Sequence, residues 1–311
     1  MADNEAPKRR GPGRPSSKPP VPVLKVSGIV AEPLNPDHSI EFVFSDPLVF
    51  KTLFIYFKNL KSRDIHIRFR PTDITFFTRD HTKMSKIISH IDCKKVNWYF
   101  CRQEYWIGLN REHAEKMFTN IDKTFFKITM VFRDDEPEHL SFIFKDSELS
   151  KECRYKIDVA IIEQDEELFN AENDIPGPDN SLELYPVQFT LNSKQFKKTI
   201  SDASSYSEII NIEKSNTVPL QITYDKVNIR YREVYMDSEK IKLKSGLRDG
   251  CAFKCMIRLS NIKSLASSMV TDNVTIMASD KQDILLRSVI DDKVLAENKI
   301  LIIYTFVTNT V

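Results

Sequence analysis

Glycine is scarce: 7 residues in a chain of 311, against a usual share of about 7%. No GxGxxG, GxxxxGK[ST] or GxSxG spacing occurs, which excludes the phosphate cradles and the nucleophile elbow built on them. Cysteine is scarce too. Cys93, Cys101, Cys153, Cys251 and Cys255 are odd in number and scattered. They make no disulfide framework, and a reducing intracellular compartment is expected. Cys251 and Cys255 lack a second pair and a nearby HxxxH, so they read as two thiols at a strand start rather than a zinc site. No apolar run reaches about 18 residues, so no membrane-spanning helix is expected. The N-terminus is polar and basic, unlike a secretory signal. Neither sign of charge dominates, with 45 basic and 44 acidic residues. The balance rules out a protein basic overall but not a protein with sorted charge.

What is present points to sheets around a core. Hydrophobic residues make up 41% of the chain and 20 residues are Phe. That is enough to bury a sizeable core, and β-branched residues are plentiful. At this length the prior is about two domains.

Four pieces follow from composition. Residues 1–25 form a basic, proline-rich tail expected to be disordered. Six of the 15 prolines fall there, and Lys8, Arg9, Arg10, Arg14, Lys18 and Lys25 face only Asp3 and Glu5. Residues 26–162 alternate strands and helices. Asp46-Pro47 starts a helix with the apolar stripe Phe50, Leu53, Phe54, Phe57 and Leu60. Asn110 caps a second helix with Ala114, Met117, Phe118 and Ile121 inward. Residues 163–183 hold eight acids and no base around Ile175-Pro176-Gly177-Pro178, and are expected to be an extended interdomain connector. Residues 184–311 repeat the plan. One helix follows Asn192-Ser193 with Phe196, Ile200 and Ala203 inward, and another follows a Ser260 cap with Ile262, Ala266 and Met269 inward.

The offsets support an internal repeat. Phe42 matches Phe189, Phe50 matches Phe196, Ile107-x-Leu109 matches Ile257-x-Leu259, and Lys127–Met130 echoes Val274–Met277. All these shifts lie near 147 residues. Two copies of one α+β unit, β-α-β-β-β-β-α-β-β, are implied.

Charge is sorted along this plan. The four helical stretches carry 10 basic and 3 acidic residues. The bases are Lys51, Lys58, Lys61, Arg63, Arg111, Lys116, Lys194, Lys197, Lys198 and Lys263. A single charged helix face is usually only a solvated face. Four at equivalent repeat positions point to a surface for DNA phosphates, gripped by point charges without base reading.

Nothing suggests catalysis. His38, His66, His81, His90, His113 and His139 lack ligand spacing, and Asp134-Asp135-Glu136 reads as a hairpin turn. No catalytic residue, metal or cofactor is expected.

The duplicated unit, the acidic connector and the helix lysines resemble the PCNA-type DNA sliding clamps, and among them those of African swine fever virus and related large DNA viruses. Pro47–Ser62 (PLVFKTLFIYFKNLKS), Ile262–Asp272 (IKSLASSMVTD) and Arg10-Gly11-Pro12-Gly13-Arg14-Pro15 carry the likeness. The resemblance implies a DNA clamp fold and a homotrimeric ring around duplex DNA. Helices would line the channel, with sheets outside. It implies a processivity factor rather than an enzyme, docking DNA polymerase, ligase or other replication and repair proteins at a cytoplasmic viral replication site or in the nucleus. The subunit joint would add Tyr155–Ile161, with Tyr155, Ile157 and Val159, to Ile229–Tyr235 of the next chain, with Ile229 and Tyr231. A docking pocket under the connector would use Ile74, Leu168, Phe169 and Ile175. In the tail, Arg9, Arg10, Gly13, Arg14 and Pro15 resemble an AT-hook for the minor groove. A plain phosphate-binding tail or a nuclear import signal fits the same composition. The alternative to the ring is a DNA-binding regulator that relies on this tail.

Overall fold

A computed structural model of the chain describes residues 25, 27–160, 165–177, 179–215, 217–226, 229–236, 238, 241–249, 251–269, 271–279, 283–291 and 299–307. The tail carrying Arg9, Arg10, Gly13, Arg14 and Pro15 lies outside them.

The first half runs β1 (Ile40–Phe44), α1 (Pro47–Leu60), β2 (Asp64–Phe69), β3 (Asp73–Arg79), β4 (Ser85–Asp92), β5 (Trp98–Cys101), β6 (Tyr105–Asn110), α2 (Arg111–Thr119), β7 (Phe125–Phe132), β8 (His139–Asp146) and β9 (Glu152–Ala160). Two short helices follow, α3 (Glu166–Asn170) and α4 (Ser181–Leu184). The second half runs β10 (Val187–Asn192), α5 (Ser193–Ser204), β11 (Ile209–Ser215), β12 (Leu220–Lys226), β13 (Ile229–Tyr235), β14 (Lys242–Ser245), β15 (Ala252–Arg258), α6 (Leu259–Ser268), β16 (Asn273–Ala278), β17 (Ile284–Asp291) and β18 (Lys299–Val307).

Strand order shows the duplication directly. The runs β5-β1-β7-β8-β9 and β6-β2-β3-β4 return as β14-β10-β16-β17-β18 and β15-β11-β12-β13. The repeated unit therefore has more strands than the expected β-α-β-β-β-β-α-β-β. The strand overlooked outright is β5, four residues that follow a 3-10 turn at Cys93–Lys95 and bury only Tyr99 and Cys101. Two matches of the repeat also move. Asn110 and Arg258 hold the same place before α2 and α6, so Ile107 corresponds to Cys255 rather than to Ile257. Phe42 faces Met130 as Phe189 faces Ile276, so Met130 corresponds to Ile276 rather than to Met277. The halves join where β18 pairs antiparallel with β4, Thr305 opposite Ile87. This makes one continuous sheet of 14 strands.

Local chemistry explains the helices. Asp46 accepts a hydrogen bond from the Leu48 amide at 3.0 Å ahead of Pro47, and Lys61 ends α1 in the left-handed region at φ 57°. Asn110 caps α2 by accepting from Glu112 and His113, and Asn192 caps α5 by accepting from Lys194. The expected Ser260 cap is corrected: α6 starts at Leu259 after Arg258 without a side-chain cap. The core of the first half is aromatic. Phe54 stacks on Phe118 at 4.4 Å, and Phe50 meets Phe42 edge-on at 5.6 Å. In the second half Phe196, Ile200, Ala203, Leu265 and Ala266 fill the same layer.

Candidate nucleic-acid interface, sheet edges and connector

α1 packs against α2 and α6, and α5 packs against α6. The four helices thus form one row, α2-α1-α6-α5. Apolar stripes face the sheets, which leaves the polar faces outward.

In the first half these polar faces close on themselves. Lys51 Nζ donates to the carbonyls of Thr119 and Ile121 at 3.1 and 2.7 Å, satisfying the end of α2. Lys58 Nζ lies 2.6 Å from Glu115 Oε1. Arg111 donates to Glu115 Oε2 at 2.6 Å and to the Ser62 carbonyl at 2.7 Å, with its side chain only 13% exposed. Of the cations expected to meet DNA phosphates, Lys51, Lys58 and Arg111 are held by Glu115 and by backbone carbonyls. Lys61, Arg63 and Lys116 are exposed, with Arg63 3.8 Å from Asp64.

The second half differs. Lys194, Lys197 and Lys198 are exposed on α5, while Phe196, Thr199 and Ile200 turn inward. Lys263 is exposed on α6. It sits five residues past its helix cap, as Glu115 does on α2, so the acid that closes the first pair is a base in the second.

Besides the sheet ends at β5, β14 and β15, two strands keep a side wholly or largely unpaired among the described residues. β13 ends its sheet, paired only with β12. β9 pairs fully with β8 but meets β6 only at Val159 and Ala160. Along β9, Ile157 is buried, with Tyr155 and Val159 part-buried against the core. On β13, Tyr231 is 40% exposed and stacks on Tyr224 at 4.6 Å. Burial first, then Tyr231 and Glu233, pushes the Tyr224 hydroxyl up to about 12. Ile229 begins β13, and Ile161 lies outside the described residues.

The connector is not extended. α3, a 3-10 turn at Ala171–Asp174 and α4 fold it into a strap. Leu168 and Ala171 are buried on Phe77 and Ile88, with Phe169, Ile175 and Phe306 alongside. Phe169 sits 4.4 Å from Trp106 and 5.5 Å from His66. Ile74 does not join this cluster. It belongs to the main core on the opposite face of β3, and Phe77 is the β3 residue that meets the connector. The strap's acids have partners that the sequence pattern did not reveal. Glu172 pairs with Arg68 and Arg70, Asp165 lies 2.6 Å from Arg79, and Glu167 lies 2.8 Å from Lys86. Strand alternation on β2 and β3 was the available signal. Between strap and second half lies a groove of about 630 Å³, lined by Lys86, Glu167, Ala171, Tyr185, Asp283 and Phe306 among others.

Among the described residues no group of three or more His, Cys, Asp or Glu is placed to hold a metal, and no helix is long and apolar enough to cross a membrane. Asp134–Glu136 lie in the turn between β7 and β8, with Asp135 2.6 Å from Arg133.

The architecture is the PCNA clamp fold. Proliferating Cellular Nuclear Antigen from Entamoeba histolytica matches with a TM-score of 0.68 over 88% of this chain and 100% of that one, at 14% identity. No family model matches the chain. Its sequence relatives include proteins of African swine fever virus from a Kenyan pig isolate and a Namibian warthog isolate, each 45% identical over 285 residues, 91% of this chain and 94% of the relative. The chain belongs to the family of these African swine fever virus proteins, a PCNA-like viral family.

Proposed function

We propose that the chain is a DNA sliding clamp: a non-enzymatic processivity factor that closes as a homotrimer around duplex DNA and docks replication and repair enzymes. The observation that carries this reading is the placing of β9 and β13, each with a side wholly or largely unpaired. β9 and β13 hold the places in their halves that β18 and β4 hold in the internal joint. A chain whose own middle is a β4·β18 joint, and whose ends offer the equivalent strands, is suited to repeat that joint head to tail.

The repeat also supplies a register. Phe42, Met130, Phe142 and Tyr155 are successive partners in the first half, as Phe189, Ile276, Leu286 and Thr305 are in the second. Ile67, Phe76 and Ser89 match Ile212, Ile222 and Glu233 in the same way. Within the chain Thr305 faces Ile87 and Ile303 faces Ser89. The joint between chains then sets Tyr155 against Tyr231, Ile157 against Ile229, and Cys153 against Glu233. In this reading residues 26–162 and 184–311 are the two clamp domains and 163–183 the connector. Lys61, Arg63, Lys116, Lys194, Lys197, Lys198 and Lys263 track the DNA phosphates, while Lys51, Lys58 and Arg111 brace the helices. The groove beside Leu168, Phe169 and Ile175 receives partner proteins, and the basic tail adds a second DNA contact.

The test is absolute mass by light scattering together with a Glu233→Cys variant. Three times the 36.1 kDa chain mass supports the ring. Opposed antiparallel residues lie about 4.5–5.5 Å apart, within disulfide reach, so native Cys153 should cross-link Cys at 233 under mild oxidation. A stable monomer on and off DNA sinks the ring. A trimer without the cross-link moves the register.

A further inference from the structure

The outer face of the second half carries a groove of about 640 Å³, separate from the helix row. Its floor is a line of side chains crossing five strands. Lys242 on β14 lies opposite Thr190 on β10, Thr190 opposite Thr275 on β16, Thr275 opposite Arg287 on β17, and Arg287 opposite Tyr304 on β18. Lys244, two residues along β14, points to the same side. The connector's Pro176, Gly177 and Ser181 form a wall. Gly246 permits this close seating, since a Cβ there would meet the Leu182 carbonyl at 2.9 Å.

Three features make this groove a site for an anion. Three cations line it, and among the described residues no carboxylate does. Lys242 and Arg287 flank the threonines from opposite sides, three strand spacings or about 14 Å apart, within the joint reach of two long side chains. Between them Thr190 Oγ1 and Thr275 Oγ1 lie 3.0 Å apart, one donating to the other, which leaves the second hydroxyl proton to donate upward to a tetrahedral group. The fold does not demand this chemistry. The equivalent line in the first half is Trp98, Val43, Thr129, Ile143 and Arg154, mostly apolar and with one cation at its end.

We propose that this groove binds a small phosphate-bearing anion, an oligophosphate or the phosphate chain of a nucleotide. The hydrogen-bonded threonine pair donates its one free hydroxyl proton to a phosphoryl group, with Lys242, Lys244 and Arg287 neutralising the charge around it. The volume lies in the range of small-molecule sites, about 300–1,000 Å³. The site does not depend on ring formation or on the helix lysines.

The test is calorimetric titration of the full chain with tripolyphosphate, beside Lys242→Gln, Arg287→Gln and Thr190→Val. Saturable 1:1 binding is expected, weakened about tenfold or more by either charge removal. Thr190→Val should weaken it less, and duplex DNA affinity should stay unchanged in all three. A nucleoside triphosphate run in parallel identifies the source: equal affinity means the phosphates alone are read, and tighter binding means the base also finds the groove. The proposal is overturned if tripolyphosphate fails to saturate at millimolar concentration or if the variants bind it as the parent does. It is also overturned if a glutamate-rich peptide binds where tripolyphosphate does not, or if the variants lose duplex binding in step with tripolyphosphate. Circular dichroism of Lys242→Gln and Arg287→Gln, both surface changes, separates lost binding from lost folding.

Discussion

The two halves share a strand order and differ in what they do with charge and bulk. In the first, Glu115 gathers Lys58 and Arg111, and Lys51 closes the end of α2. In the second, the residue at Glu115's place is Lys263, and the α5 lysines face outward. The first half fills its helix layer with Phe50, Phe54, Phe57 and Phe118, the second with Phe196, Ile200, Ala203 and Ala266. A duplicated backbone fixes where side chains sit and leaves their chemistry free to diverge. One copy has become the braced, aromatic scaffold and the other the exposed, cationic surface.

The largest effect should come from breaking the aromatic layer. Phe118 contacts the rings of Phe50, Phe54, Phe142 and Phe144, and its counterpart is Ala266. Phe118→Ala should cost about 3–5 kcal/mol, and Ala266→Gly about 1 kcal/mol. Urea denaturation followed by fluorescence measures both. Equal losses would mean the second half relies on that layer as heavily as the first.

The next effect is on DNA. Ala at Lys194, Lys197 and Lys198 together should lower the salt slope of duplex binding by about 2–3, near 0.9 per phosphate contact. Lys51→Ala should leave the slope almost unchanged and lower stability by about 1 kcal/mol, as two carbonyls lose a charged donor. Titrations at several salt concentrations decide. If Lys51→Ala flattens the slope like the α5 triple variant, the bracing role is wrong.

Glu115→Lys sharpens the comparison by giving the first half the residue of the second. Freed from Glu115, Lys58 and Arg111 should turn outward. Duplex affinity at low salt should rise several-fold, and stability should fall by less than about 1 kcal/mol, since these pairs are partly solvated. Unchanged affinity would place this helix pair away from DNA.

Much of this was legible in the sequence because it rests on period and spacing. The Phe stripe of α1, the Asn110 and Asn192 caps and the near-constant offset between halves are local signals. Pairing across space was not legible. Lys51 and Lys58 look unopposed along the chain because their partners lie on or just past the neighbouring helix α2, whereas Arg111 pairs with Glu115 one turn along its own helix. The connector's acids suggested an extended linker because Arg68, Arg70, Arg79 and Lys86, which pin it, lie about 80 to 100 residues away. Ile74 and Phe77 are equally apolar, and only the sheet's alternation, fixed by the core, decides which one the connector covers.

The smallest effect concerns the latch on that connector and again separates the halves. Burial lowers the His66 imidazole below 6.5, with Asp165 and Asp64 opposing the shift and Arg79 adding to it. By the strand registers its counterpart is Asn211, which does not titrate. Because the unfolded chain takes up the His66 proton at higher pH than the folded chain, stability should fall as pH drops below 6.5 toward the folded value, and this contribution is constant above that window. The new charge would sit beside Arg79 and under the edge of Phe169, so amide exchange across residues 165–174 should quicken at the same pH. His66→Asn should remove both changes while leaving the neutral-pH fold intact. If the variant's exchange still quickens below 6.5, the pH response belongs to the carboxylates paired with Arg68, Arg70, Arg79 and Lys86 instead.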